Sequence, residues 1–539
     1  MSAEFRERLL AFTAIGAVFA LLLFPEFGYV PIWDGRVYAD CAITAAANGI
    51  SFETLRCAGH PSQGYAIFLA LSQVAQLGDV SLLHLTNTFL GLVALASIRV
   101  VLATVFPAPA LARQLDFVAL ACAVHPVLLS TLLQVNIDFG VYVFFFAALA
   151  ALLRRRYGLA ACAGVLLCFS KETGVLVYAL MLALHALLVT LGGEGTPIQR
   201  IRRLAAMPIA AAPLVAFGVH VVWWNSTHVQ PAIWKHGWQQ GPLDGFKFFD
   251  LSEPIFRSYA SGIFVLGFMW VVSGILAADL AIGGVRIARR LPDREVPGAD
   301  GRTLAYVSLL TTVLAYALTS FRTWSNLRYF ALLYPLLLLL AFAALLRLGM
   351  PARVRAGILA GVVLLFSWAS LRSDDPVSRL VYGTFSIGDR PMYRMASITG
   401  EFAGPGTDQL VYNLQFTGFA DVQNALFRRL RPTDSTVFVA SRTVRWNLWS
   451  PLDARTLRRT LERRTPTVSP RYMDEVVFAA QRDRPREAWF LDFSNHADGD
   501  RALESLGTIY REDAIVRVRA RGHVLPAHHL VRRESQVLP

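Results

Sequence analysis

The chain has 539 residues, 55% of them hydrophobic and only 17% charged, with a mean hydropathy of +0.46. Soluble domains carry about 25% charged residues, so these values exclude an ordinary soluble protein and point to a polytopic membrane protein. The net charge of +13 does not indicate nucleic acid, because the basic residues cluster between apolar segments, as in the loops of membrane proteins.

The first element in chain order is an apolar segment at 9–29. The preceding MSAEFRERLL is short and charged, and the apolar run lacks a convincing small-residue cleavage site. The segment therefore reads as a retained helix with a cytoplasmic N-terminus. Further runs near spanning length, about 20 residues, follow at 81–106, 114–133, 138–153, 158–170, 174–192, 204–224, 258–284, 303–321, 329–347 and 356–371. With about eleven spans, Arg113, Arg154–Arg156, Arg200–Arg203, Arg286–Arg290 and Arg347–Arg355 all fall on the cytoplasmic side, as the positive-inside rule requires.

The opposite side then holds the loop at 30–80, where VYADCAITAAANG predicts a short helix on the membrane surface. SQGYAIFLALSQVAQLG, at 62–78, predicts a second interfacial or re-entrant helix, being too short to cross comfortably. Cys41 and Cys57 both lie in this loop. Outside the cytoplasm a disulfide between them is permitted, and closing such a loop is worth about 3 kcal/mol in the chain-entropy model. Cys122, Cys162 and Cys168 lie in apolar runs and read as small buried hydrophobes.

From residue 372 the long apolar runs stop. QLVYNLQ, STVFVAS, EAWFLDF and AIVRVRA read as strands, DVQNALFRRL and DARTLRRTLERR as amphipathic helices. Residues 372–539 are long enough for one α/β domain outside the membrane. The stretch from about 521 reads as a loose tail. The fold class is thus a polytopic α-helical membrane protein, membrane module at 1–371, with a C-terminal extracytoplasmic α/β domain.

Ionisable residues at the edges of spans are functional candidates, since burying charge in lipid is costly. Asp34 follows Trp33 at the exit of the first span; a solvated helix-capping charge is the plainer alternative. Asp40 stands four residues after Arg36, the spacing of a helical ion pair. Asp138 opens the fourth span, where capping or dipole compensation would also favour an acid. Lys171 and Glu172 interrupt two apolar runs and read either as an internal pair or, for Lys171, as a phosphate ligand beside a helix N-terminus. Only Lys171, Lys235 and Lys247 among 51 basic residues are lysines. Arg322 and Arg328 run against the positive-inside trend and suggest a bound anion or a carboxylate partner. His60, in GHP, can hydrogen-bond a phosphate or sugar, or simply hold a turn. The Trp-rich loop with His228 and His236 reads as an interface belt more readily than as a sugar platform. Zinc-ligand spacings, a Walker loop and a serine-hydrolase elbow do not occur, which argues against direct use of ATP. A need for a divalent cation stays open.

The order WDGRVYAD, GHPSQGYAIFLALSQVAQLG, NIDFGVYVFFFAALAALLRRR, AGVLLCFSKETG and LRYFALLYPLLLLL resembles the GT-C superfamily of integral-membrane glycosyltransferases, over residues 9 to 350. Lipid A aminoarabinose transferases and protein O-mannosyltransferases are the nearest types. The resemblance implies that Asp34 is the acidic residue of the first outer loop, near the acceptor. The superfamily often has Asp-Glu followed three residues later by Tyr; here Gly35 replaces the Glu and Tyr38 remains. Asp138 matches the second acidic position, Lys171 a basic residue facing the lipid phosphate, and Arg328 the RY start of a late span.

The resemblance further implies a polyprenyl-phosphate sugar donor and a glycan, glycolipid or protein acceptor, met at the outer face of a bacterial plasma membrane. Asp34 would be the catalytic general base, with Asp138, Lys171, Glu172, Arg322, Arg328, His60 and Tyr38 binding substrate. One base without a second carboxylate nucleophile implies inversion. The rival readings are a transporter or flippase of a lipid-linked glycan or similar anion, and a non-catalytic scaffold.

Overall fold

The computed structural model describes residues 3–29, 31, 34–57, 59–191, 197–227, 254–290, 295–320, 327–372 and 374–382, together with shorter stretches beyond: 384–387, 390–393, 425–426, 428–431, 433, 435–440, 471–474, 478–479, 485–491, 497–520 and 523–533. The first part is helical: α1 (Ala3–Leu23), α2 (Asp34–Asn48), α3 (Gln63–Ala75), α4 (Val80–Val105), α5 (Ala112–Ala123), α6 (Pro126–Leu133), α7 (Ile137–Leu153), α8 (Tyr157–Cys168), α9 (Glu172–Leu191) and α10 (Pro197–Thr227). α11 (Pro254–Phe264), α12 (Met269–Ala288), α13 (Gly301–Ser320), α14 (Leu333–Arg347), α15 (Ala352–Leu371) and α16 (Pro376–Tyr382) follow.

The chain is a multi-pass membrane protein. Among the described residues six helices are long and apolar enough to span, and a seventh arises if α5 and α6 count as one, although they bend by 48°. That bend falls at His125–Pro126, where proline disfavours helical geometry in the residue before it. α1 over Phe12–Glu26, α7, α8 and α14 are apolar but shorter. Each apolar run of the sequence is helical, and the run at 258–284 is corrected in shape. Gly267 and Phe268 adopt left-handed φ values of 62° and 68°, and the apolar helix begins there, spanning Leu266–Ala288. α11 is thereby a separate helix.

α7 is apolar around its whole circumference and buried along nearly its full length, which places it at the centre of the bundle. The two loop helices form as expected, and α3, read as interfacial or re-entrant, packs against the bundle. Gly64 allows this, since a Cβ there would stand 2.2 Å from the Leu166 carbonyl oxygen of α8. Tyr65 Oη donates to Asn87 Oδ1 (2.8 Å), and Asn87 Nδ2 donates to the Leu132 carbonyl (2.8 Å), joining α3, α4 and α6. Cys41 and Cys57 form the disulfide, which ties α2 to the turn before α3. Arg36 pairs with Asp40 at 3.3 Å, the four-residue pair read from the sequence.

Beyond α16 lie the hairpin β1 (Thr384–Ile387) and β2 (Arg390–Tyr393), and a mixed five-stranded sheet. Its strands are β3 (Val437–Ala440), β4 (Arg471–Asp474), β5 (Glu487–Leu491), β6 (Tyr510–Ala520) and β7 (His523–Arg532), in the order β4-β3-β5-β7-β6. One face packs Val439, Phe490 and Leu530 against α17 (Ala497–Gly507) through Ala502 and Leu506. STVFVAS, EAWFLDF and AIVRVRA contribute β3, β5 and β6. QLVYNLQ and DARTLRRTLERR lie outside the described residues. The expected loose tail is corrected: residues 523–532 form β7, between β5 and β6. Leu525, Ala527 and Leu530 are buried there, and Pro526 lies one residue beyond the last pairing with β5, where its missing N–H costs no bond to that strand.

Candidate active site

Four turns of the chain converge at one end of the bundle. Asp34 is the first residue of α2, and Asp138 lies in the first turn of α7, both positions where the helix dipole favours a carboxylate. Lys171 occupies the turn between α8 and α9, and Arg328 the 3-10 turn Leu327–Phe330 before α14. Lys171 Nζ donates to Asp138 Oδ1 at 2.7 Å. Arg328 Nε donates to Asp138 Oδ2 at 3.0 Å, and Arg328 Nη2 to Asp34 Oδ2 at 2.5 Å. The cluster therefore runs Asp34–Arg328–Asp138–Lys171, two negative and two positive groups in alternation.

Burial divides the cluster. The Asp138, Arg328 and Lys171 side chains are 4%, 5% and 10% exposed, whereas that of Asp34 is 51% exposed. A buried ion pair needs both partners and good geometry to offset desolvation, and Asp138 has a cation on each oxygen. Asp34 is the member open to an incoming hydroxyl.

Local sequence explains the placement. Asn136 caps α7, its Oδ1 accepting from the Asp138 amide at 3.1 Å. Gly35 lets α2 touch the turn between α6 and α7. A Cβ at residue 35 would stand 1.7 Å from the Gln134 carbonyl oxygen. Glycine at residue 35 is thus a steric requirement of this chain. Lys171 Nζ lies 4.1 Å from the centroid of the Tyr329 ring, a cation–π contact strengthened by desolvation.

A small cavity of about 10 Å³ lies beside the cluster. Asp138, Arg328, Tyr329 and Thr173 line it with polar groups, and Val141, Val177 and Leu318 with apolar ones.

The remaining candidates take different places. Glu172 does not pair with Lys171; its carboxylate meets His60 Nδ1 at 3.0 and 3.2 Å. Tyr38 is buried, with its ring 6.5 Å from that of His60. Burial, then the Asp34 and Asp138 charges, push its phenol well above the ordinary value, so Tyr38 stays neutral. Arg56 lies 4.0 Å over the Trp224 ring. Arg322, His228 and His236 lie outside the described residues. No group of three or more His, Cys, Asp or Glu that could hold a metal occurs among the described residues. Sequence reasoning missed Asn136, whose position just before IDFG is an N-cap signal, and Tyr329, for which the RY pair was the only signal.

No protein-family model matches the chain, and no curated protein matches it in sequence. Solved structures do. The chain is similar to ArnT from Cupriavidus metallidurans bound to undecaprenyl phosphate, with 13% identity and a TM-score of 0.48 over 96% of this chain and 97% of that one. It is similar to the arabinofuranosyltransferase AftD from Mycobacteria, with 15% identity and a TM-score of 0.43 over 97% of this chain and 40% of that one. The apo oligosaccharyltransferase of Archaeoglobus fulgidus matches at 11% identity and a TM-score of 0.41, over 80% of this chain and 62% of that one.

Proposed function

We propose that the chain is a glycosyltransferase that moves a sugar from a polyprenyl-phosphate donor to a hydroxyl of a cell-envelope acceptor, on the extracytoplasmic face of the membrane. Residues 1–371 form the catalytic module in this reading, and residues 372–539 a domain outside the membrane. The observation that carries it is Arg328, which joins the half-exposed Asp34 to the buried Asp138–Lys171 pair. The motif resemblance of the sequence to GT-C enzymes supports the same assignment.

The step is a single displacement. Asp34 accepts the proton of the acceptor hydroxyl, and the acceptor oxygen bonds to the anomeric carbon. The bond from that carbon to the phosphate oxygen breaks, and polyprenyl phosphate leaves with the electron pair. General-base catalysis of this kind contributes typically about 10²–10⁴-fold. Lys171 and Arg328 stabilise the charge that grows on the phosphate, in a setting where preorganised cations act more strongly than in water. Attack opposite the leaving phosphate gives inversion.

Broken helices at α5–α6 and α11–α12 are a feature that transporters share, and they keep the flippase reading as the rival. Mass spectrometry of cell-envelope glycans from a deletion strain tests the proposal. Loss of one sugar from an otherwise complete glycan supports transfer. An unchanged glycan profile contradicts it.

A further inference from the structure

Asp375 has no exposed surface, stands outside the charged cluster and binds the left-handed break at Gly267–Phe268. Its Oδ2 accepts from the Phe268 amide at 2.8 Å, and its Oδ1 from Trp270 Nε1 at 3.0 Å and the Val377 amide at 3.0 Å. Ser378 Oγ also donates to Oδ2 and itself accepts from the Gly267 amide at 3.1 Å. A buried carboxylate is retained only when hydrogen bonds or ion pairs replace its solvation, and the donors here come from the break itself, from Trp270 just after it and from the start of α16. Phe268 at φ 68° is strained for a non-glycine residue, so the bonds hold a backbone shape the chain would not choose.

The break fixes α11. This helix packs on the 3-10 turn that carries Arg328: Tyr259 meets Phe330 edge to face with ring centroids 4.8 Å apart, and the Cβ of an alanine at Gly262 would stand 1.9 Å from Leu327 Cδ2. Tyr334 Oη donates to the Gly262 carbonyl at 3.2 Å and fastens α11 to α14. The residues before and after Arg328 thus rest against α11, and α11 takes its direction from the break.

We infer that Asp375 is a positioning residue: by clamping the Gly267–Phe268 break it sets α11 against the Leu327–Phe330 turn and so holds Arg328 between Asp34 and Asp138. The clamp also lies where the chain leaves the membrane helices, between α15 and α16, so the root of the C-terminal region and the phosphate-facing arginine share one fastening. The importance of Arg328 to transfer rests on the function proposed above; the mechanical link does not.

The test is hydrogen–deuterium exchange on the full chain in nanodiscs, comparing wild type with Asp375→Asn and Gly262→Ala, without any ligand. Asparagine keeps the size of the side chain but offers one acceptor oxygen instead of two. Both variants are expected to speed exchange of the amides at 327–332 about tenfold, with α7 unchanged. In a transfer assay the same variants raise the KM for the donor and leave the KM for the acceptor alone. Faster exchange confined to 264–271 and 375–382 overturns the inference, as does loosening that spreads to α7. If wild type transfers no sugar, the proposed function fails, and the exchange at 327–332 still decides the role of Asp375.

Discussion

Arg328 and Asp34 are 294 positions apart in the chain, yet Arg328 Nη2 donates to Asp34 Oδ2 at 2.5 Å. The same guanidinium reaches Asp138 through Nε. A planar fork with donors on two edges suits this double contact, and an ammonium does not. Arg328→Lys is therefore expected to lower kcat/KM by about 10²-fold or more, with the protein still folded. A steady-state transfer assay with protein quantified by size-exclusion chromatography checks it.

Asp138 separates stability from chemistry. Its removal as Asp138→Asn leaves Lys171, 10% exposed, without its carboxylate. Breaking a buried pair from one side costs about 3–5 kcal/mol, so thermal unfolding shifts well down. The double variant Asp138→Leu with Lys171→Met removes both charges and is expected to regain much of that stability while transfer stays lost. Thermal unfolding measured alongside transfer distinguishes the two effects.

Gly35 gives a prediction against the Asp-Glu pattern of the superfamily that the sequence resembles. Restoring the common Asp-Glu pair by Gly35→Glu places a Cβ 1.7 Å from the Gln134 carbonyl, and backbone must move. Overpacking of this kind costs about 1–3 kcal/mol and pushes α2, with Asp34, away from Arg328. The variant is expected to lose activity instead of gaining it, and Gly35→Ala to show most of the same loss. Transfer rates of the two variants against wild type measure this.

The Cys41–Cys57 disulfide holds the middle of α2. Cys41→Ser with Cys57→Ser is expected to cost about 3 kcal/mol, read as a lower unfolding temperature. Transfer is expected to fall less than for any cluster variant, because Asp34 keeps its bond to Arg328. Non-reducing electrophoresis after thiol alkylation confirms the bond in wild type.

Local physics made much of this legible. Apolar runs marked the helices, and charges at their edges marked Asp34, Asp138, Lys171 and Arg328, because burying charge is costly wherever it occurs. Pairing was not legible, since it depends on contacts across the chain. Lys171 and Glu172 are neighbours in sequence, but Lys171 turns to Asp138 and Glu172 to His60. The break at Gly267–Phe268 was hidden inside a continuous apolar run, because what stabilises it is Asp375, 107 positions from Phe268. β7 looked like a loose tail because its partners β5 and β6, not its own composition, make it a strand. Arg322 lies outside the described residues.

The central claim is that Asp34 takes the acceptor proton. The direct measurement is single-turnover transfer by Asp34→Asn in liposomes, with a radiolabelled polyprenyl-phosphate sugar, alongside donor binding by the same protein. The account predicts a loss of about 10²–10⁴-fold in rate with donor affinity kept near wild type. Transfer at the wild-type rate by Asp34→Asn, with donor bound, would contradict it.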